Sequence, residues 1–256
     1  MPDSLERQAE RIYRRYATEV VEGLGMCPWA AAARAAGEVE VEILSAERPS
    51  LEACMGVLER FGQREQTRIG LLVLPRSSAS RAEHARFTAR LREADSERCG
   101  LGRTIFALAD FHPEVEADTR SAERLVPFIR RSPDPTIQAV RRSALAAVRL
   151  GAEQGTSFVD PADLASLDLK TLQPAAAPLN KRVARANLAT VEKLGIERVR
   201  AMMDDILADR DRSYARFGIA PRGAGVGERA RTDKYDIAPA KFDEGPGGAC
   251  VDGQQE

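Results

Sequence analysis

The sequence IGLLVLP at residues 69–75 decides the fold. A continuous apolar run of this length is typical of a strand buried on both faces of a sheet. On its N-terminal side, residues 39–44 alternate valine and isoleucine with glutamate, which predicts a half-exposed strand. On its C-terminal side, residues 104–109 predict a third strand.

Helical patterns separate these strands, at residues 51–61 and 80–98. We therefore predict an α/β fold with a βαβαβ unit, in which a small sheet of three or four strands is at least partly parallel and packs against helices. Further helices, including C-terminal ones, are predicted at residues 4–24, 135–150, 183–194 and 196–217, with an irregular connector at 151–178.

Composition excludes several classes of function. The chain has 256 residues, is 43% hydrophobic and 30% charged, and carries a net charge of −1, so no global field recruits nucleic acid. No apolar run approaches the roughly 18 residues that span a bilayer, and no signal peptide is predicted at the start. A cytoplasmic protein without membrane or nucleic-acid partners is expected.

The residues after Phe217 differ from the rest. Eight of the nineteen glycines fall among the last 39 residues, mixed with charges and few apolar side chains. Such a composition predicts disorder. We therefore expect a single α/β domain at residues 1–217, with a helical C-terminal part, and a disordered tail at 218–256.

The sequence RRSPDPT at residues 130–136 is the most distinctive polar stretch. Pro133 and Pro135 fix their own φ angles and disfavour helix in the residues before them, so the turn is stiff. A helix is predicted to start at its end. Guanidinium groups beside a helix N-terminus form a ready anion site, whereas the simpler interpretation is a rigid helix start with two solvated arginines.

Two further residues are candidates for a catalytic role. His112 closes the third strand, at the edge of the sheet where sites gather in α/β proteins, and we predict that it faces the same pocket as Arg131. Cys27 follows the first helix, where the helix dipole disfavours a thiolate. Each also has a plain structural interpretation, as a histidine bonded to backbone and a buried inert thiol. His84, among charged neighbours, is predicted to be solvated.

Several segments resemble a bacterial family known as the domain of unknown function 1415 family, over about residues 5–195. The specific match is Arg-Ser-Pro-x-Pro-Thr at 131–136. Weaker matches are Cys27-Pro28-Trp29-Ala30, Phe111-His112-Pro113, Arg141, Arg185-x-Asn187 and Leu194-Gly195. Members often carry Asn where Arg130 stands and His where Gln138 stands, so the resemblance favours Arg131 over Arg130. The family is uncharacterised, so the resemblance implies no activity.

These residues give one main hypothesis and two alternatives. The main one is an enzyme acting on a small anionic metabolite, a carboxylate or phosphate, with His112 moving the proton. In it, Cys27 is a nucleophile or redox thiol only if His112 or an arginine lowers the pKa of its thiol. The substrate-binding residues of this enzyme are predicted to be Arg131, Ser132, Thr136, Arg141 and Asn187. The alternatives are a metal or haem site using Cys27 and His112, and a non-catalytic binding module. The substrate, cofactor and oligomeric state stay open.

Overall fold

The computed structural model of the chain describes residues 4–100, 104–146 and 179–222. The predicted connector at 151–178 and the part of the predicted tail from 223 onward lie outside the described residues. All described residues belong to one compact unit. None of the helices in the described part of the chain is long and apolar enough to span a bilayer.

The sheet has four strands in the spatial order β1-β2-β4-β3. They are β1 Val39–Ile43, β2 Ile69–Val73, β3 Phe106–Phe111 and β4 Thr136–Arg141. β1 is parallel to β2, and β4 is antiparallel to both β2 and β3. The α/β class and the partly parallel sheet are therefore confirmed.

Helices precede, connect and follow these strands. Their bounds are α1 Leu5–Arg15, a π-helix Tyr16–Glu22, α2 Ala30–Ala35, α3 Leu51–Gln63, α4 Arg81–Cys99, α5 Ala122–Ile129, α6 Leu179–Leu194, α7 Ile196–Tyr214 and a 3₁₀ turn Ala215–Phe217. Serine side chains cap α1, α3, α4 and α5 by accepting a backbone N–H of the first turn. The predicted helix at 4–24 is present, but its second half is the π-helix.

The sheet separates two apolar cores because side chains alternate along each strand. In β2, Leu71 and Val73 pack with α1, the π-helix, α5, α6 and α7. Leu72 and the following Leu74 pack on the other face with α3 and α4. The run at 69–75 is thus covered on both sides, as predicted.

The predicted helix at 135–150 is wrong over its first part, which forms β4. Its apolar residues fit a helical period, but Ile137 and Ala139 also share one face of a strand, and both are about 1% exposed. The neighbouring strands decide between the two periods: Val73 of β2 and Phe111 of β3 both pair with Thr136. Residues 142–146 are helical.

This topology brings three segments to one edge of the sheet. β1, β2 and β3 point the same way, and β4 starts where β2 and β3 end. Leu74 N–H donates to the Pro135 carbonyl, and His112 N–H donates to the Arg130 carbonyl. We call this the carboxyl edge, defined by residues 74–80, 112–115 and 130–135.

Candidate functional site: the carboxyl edge

The turn before β4 is buried and bonded to itself. Ser132 Oγ donates to the Asp134 carbonyl at 2.5 Å, and Thr136 Oγ1 donates to the same oxygen at 2.9 Å. Both side chains are at most 1% exposed. A strand follows the turn, so the prediction that a helix starts here was wrong. The anion site that was to use the free N–H groups of that helix is therefore absent from this turn. The two hydroxyls hold the turn in shape instead.

Arg131 extends from this turn toward α7. Its Nε donates to the Pro113 carbonyl at 3.0 Å, and its Nη2 lies 2.7 Å from Oδ1 of Asp204. The Arg131 side chain is 9% exposed, whereas that of Asp204 is 50% exposed. The charge of this buried guanidinium is thus neutralised by a carboxylate that is half-exposed to solvent.

Arg131 also lines a small recess. The lining residues are Tyr16, Pro113, Arg131, Ser132, Pro133, Met203, Ile206 and Leu207. The recess holds about 220 Å³ of unoccupied space, part of it open to solvent, and as it stands it has room for about one water molecule. A metabolite therefore enters only if side chains at the mouth move.

His112 is held by the backbone at both ring nitrogens. Its Nε2–H donates to the Ala79 carbonyl at 3.0 Å, and its Nδ1 accepts the Glu114 N–H at 3.2 Å. Burial, assisted by the nearby His84, Arg222 and Arg81, lowers the pKa of His112 to about 4. The imidazole is therefore neutral at physiological pH, and its bonds fit the plain structural interpretation.

His84 is a second buried histidine, and the prediction of a solvated residue was wrong. It is 2% exposed, its Nε2–H donates to the Thr136 carbonyl at 3.2 Å, and its ring centroid lies 5.7 Å from that of His112. Burial lowers its pKa too. The sequence held a signal for this: residues 84, 88, 91 and 95 share one helix face, and all four are buried.

A buried ion pair joins the turn to α7, and sequence reasoning missed it. Asp134 accepts from Arg210 Nε at 2.9 Å and from the Tyr214 hydroxyl at 2.8 Å. Arg210, which is fully buried, also donates to Asp211 at 2.7 Å and to the Pro75 carbonyl at 3.2 Å. Every charge in this network is paired, as buried charges must be.

Arg222 also contacts the carboxyl edge, but the hydrogen-bonding groups of its side chain are less fully paired. Its N–H donates to the Asp211 carboxylate, and its Nη2 donates to the Ser77 carbonyl. In the structure described here, its buried Nε atom has no hydrogen-bond partner. Burial and the neighbouring Arg210 lower the pKa of Arg222. A cationic group is thus left beside the two histidines.

Cys27 is not part of the three segments that define the carboxyl edge. It follows the π-helix, its N–H donates to the Val21 carbonyl, and burial raises the pKa of its thiol. The backbone N–H groups of Trp29 and Ala30 act against that rise. The described contacts of Cys27 include neither His112 nor Arg131, and its role as nucleophile stays a prediction.

Arg141 lies at the opposite end of β4 from the arginine turn. Its guanidinium donates to the carbonyls of Phe61, Gly62, Arg64 and Thr67. It therefore caps the C-terminal end of α3, and the prediction that Arg131 and Arg141 hold one anion does not fit this geometry. Asn187 is buried on α6, which packs against α5 and α7.

Of the predicted site residues, the carboxyl edge brings together His112, Arg131 and Ser132, with Thr136 next to it at the start of β4. His112 is not among the residues that line the recess beside Arg131, so the two do not share that recess as predicted. The carboxyl edge adds His84, Arg210 and Arg222, which come from α4, α7 and the segment after α7. Within residues 4–100, 104–146 and 179–222, no group of three or more His, Cys, Asp and Glu side chains is arranged to hold a metal ion.

Comparison with known proteins gives one family match. No curated protein and no solved structure matches the chain. A family model described as a protein of unknown function, DUF1415, matches residues 8–157, which is more than half of the chain. The match includes Cys27, His112 and the turn at 130–136, and it ends before Asn187. The chain therefore belongs to the DUF1415 family.

Proposed function

We propose that this protein binds a small anion, a carboxylate or phosphate, through Arg131 at the carboxyl edge. One observation carries the proposal: Arg131 lines a recess, and the carboxylate paired with its guanidinium, that of Asp204, is half-exposed. A ligand anion can take the place of such a carboxylate without leaving a buried charge on the protein.

Hydrogen bonding and solvation favour replacement of the Asp204 carboxylate by a ligand anion. An arginine binds carboxylate and phosphate oxygens with strong, directional hydrogen bonds, and it keeps its charge when it is buried. Asp204 is half-exposed, so water solvates its carboxylate when it leaves, whereas the buried guanidinium of Arg131 needs another anion in its place. The hydrogen bond from Arg131 Nε to Pro113 fixes the guanidinium while Asp204 leaves.

Binding is the part of the predicted function that the geometry supports. Among the described residues that line the recess, Tyr16 and Arg131 have titratable side chains. The Tyr16 hydroxyl donates to the Ile129 carbonyl, and burial raises its pKa well above 10. Both ring nitrogens of His112 are hydrogen-bonded to backbone groups. Enzymatic action on the bound anion, with His112 and Cys27 as catalytic residues, stays a prediction.

The expected location is the cytoplasm, where small organic anions are abundant. Cys27, Cys54 and Cys99 are free thiols in the described part of the chain. Free thiols fit a reducing compartment.

The test compares arginine variants. Isothermal titration with acetate and with inorganic phosphate measures binding to the wild type, Arg131→Lys and Arg131→Ala. Lysine keeps the charge but loses the planar fork, so affinity should fall by about tenfold, and alanine should abolish binding. Arg124→Lys, on an exposed side chain of α5, is the matched control and should bind as the wild type does. Binding that survives both Arg131 variants contradicts the proposal.

A further inference from the structure

We infer that the ligand of the recess is a monocarboxylate with a short apolar tail, whose carboxylate takes the place of Asp204 on Arg131. This inference rests on the proposed function and narrows its ligand class. The structure contains the headgroup interaction already, since Oδ1 of Asp204 lies 2.7 Å from Arg131 Nη2. A ligand carboxylate entering this position meets the same donor in the same geometry.

Asp204 can leave this position easily. It lies on α7, next to Asp205, and half of its side chain faces solvent. Turning outward exposes its carboxylate to water without disturbing the helix. The residue is therefore an internal competitor, and removing its charge should strengthen ligand binding.

The walls of the recess determine the rest of the ligand. The apolar part of the lining consists of Met203, Ile206 and Leu207 of α7 together with Pro113 and Pro133. A tail in contact with these residues is apolar, because its transfer from water is favourable only if it carries no unpaired polar group.

The polar groups in the walls donate elsewhere. The Tyr16 hydroxyl donates to Ile129, and the Ser132 hydroxyl donates to Asp134. The two prolines have no N–H. Among the described lining residues, the guanidinium of Arg131 is thus the donor that a ligand can reach. A ligand with further acceptor groups, such as a sugar phosphate, would leave those groups without donors there.

The size of the recess limits the tail to a few carbon atoms. The unoccupied space is about 220 Å³ including the part open to solvent, and without movement of side chains it has room for about one water molecule. Met203 lines the recess and adapts to a ligand there, because its unbranched side chain is flexible. A long-chain fatty acid does not fit such a recess.

The experiment combines a ligand series with a matched pair of variants. The probes are acetate, butyrate, hexanoate, the neutral butyramide and inorganic phosphate, titrated calorimetrically into the full chain. From acetate to butyrate, affinity should rise by up to about fourfold for each CH₂ that is buried, and butyramide should not bind. Hexanoate should gain little more than butyrate.

The variants test the role of Asp204. Asp204→Asn should bind butyrate up to about fivefold more tightly than the wild type, the factor that corresponds to a half-exposed ion pair. Asp205→Asn removes the neighbouring carboxylate, which pairs with Arg15 instead, and should leave butyrate affinity unchanged. Equal gains in both variants would reflect net charge alone and would overturn the inference.

Two other outcomes separate the inference from the function on which it rests. If acetate, butyrate and phosphate bind alike through Arg131, the apolar tail is excluded, whereas anion binding stands. If no anion binds to the wild type or to Asp204→Asn while both proteins are folded by circular dichroism, the inference and the proposed function fail together.

Discussion

At the scale of single residues, the carboxyl edge contains a pair of histidines that burial keeps neutral. His112 and His84 are 1% and 2% exposed, and each donates to a backbone carbonyl. Arg222 and Arg81 oppose a positive charge on His112, whereas Asp110 favours one on His84. In both histidines desolvation is the largest effect. Protonation of either ring is therefore coupled to unfolding.

This coupling predicts acid sensitivity. The pKa of His112 is about 4 in the folded protein and 6.5 when it is unperturbed. As the pH falls between these values, the unfolded chain takes up a proton that the folded chain does not, so the free energy of unfolding decreases. The full loss is about 3 kcal/mol for His112. Urea unfolding measured at several pH values across this window should show the decrease.

His112→Gln is the variant that checks the assignment. Glutamine can keep one hydrogen bond to the backbone but cannot be protonated. In this variant the free energy of unfolding should therefore decrease less with falling pH than in the wild type, by about 1 kcal/mol for each pH unit below the ordinary histidine pKa. An equally steep decrease in the variant would show that other groups cause the acid sensitivity.

At the scale of elements, β2 and α3 approach so closely that one position must be glycine. A Cβ atom at Gly70 would lie 2.3 Å from a ring carbon of Phe61. By contrast, a Cβ atom at Gly56, in the middle of α3, would meet nothing nearer than 3.8 Å. The two glycines therefore have opposite roles in stability.

Two alanine substitutions should separate these roles. Gly70→Ala should destabilise the protein by about 1–3 kcal/mol through overpacking, whereas Gly56→Ala should be neutral or stabilising by up to about 1 kcal/mol because alanine favours helix. Guanidinium unfolding measures both. Adding Phe61→Leu should recover part of the Gly70→Ala loss, and strictly additive effects would contradict the packing argument.

At the scale of the whole molecule, the segment after α7 returns to the carboxyl edge. Ile219 packs against the core, the Ala220 carbonyl accepts from Arg210, and Arg222 bonds to Asp211 and Ser77. The predicted domain boundary at residue 217 falls five residues before the end of these contacts. We now propose that the folded part extends through Arg222.

Truncations should locate this boundary. Removing 223–256 should leave the melting temperature nearly unchanged, in keeping with the glycine-rich composition of that segment. Removing 218–256 also deletes the contacts of Ile219, Ala220 and Arg222 and should lower the melting temperature by several degrees, equivalent to about 1–2 kcal/mol. Thermal denaturation of both truncations and the full chain is the measurement. Equal melting temperatures would restore the boundary at 217.

Patterns local in sequence were sufficient for much of the fold. The run at 69–75 and the alternation at 39–44 each allow one interpretation, and both strands formed where they were predicted. β4 could not be predicted in this way, since Ile137 and Val140 fit helix and strand alike. Its state depends on pairing with β2 and β3, whose paired residues lie 25 or more positions away.

The candidate site was predicted only in part, for a related reason. Arg131 and Ser132 stand in a distinctive motif, and His112 closes a strand, so their meeting at one edge followed from topology. Arg210 and Arg222 carry no such motif. They belong to the edge because Asp134, Asp211 and Ser77 hold them there, and those contacts span up to 145 residues of sequence.

The position of β4 also has a consequence for how the chain folds as it leaves the ribosome. β2 and β3 are complete once residue 111 has emerged, but the strand between them is made last, so neither has its inner neighbour until residue 141 appears. During that interval both strands present unpaired backbone groups, the feature that promotes intermolecular pairing. A pause in synthesis before residue 136 therefore leaves β2 and β3 open to pairing with other chains. Synthesis of β4 ends this exposure, because that one strand pairs with both of them.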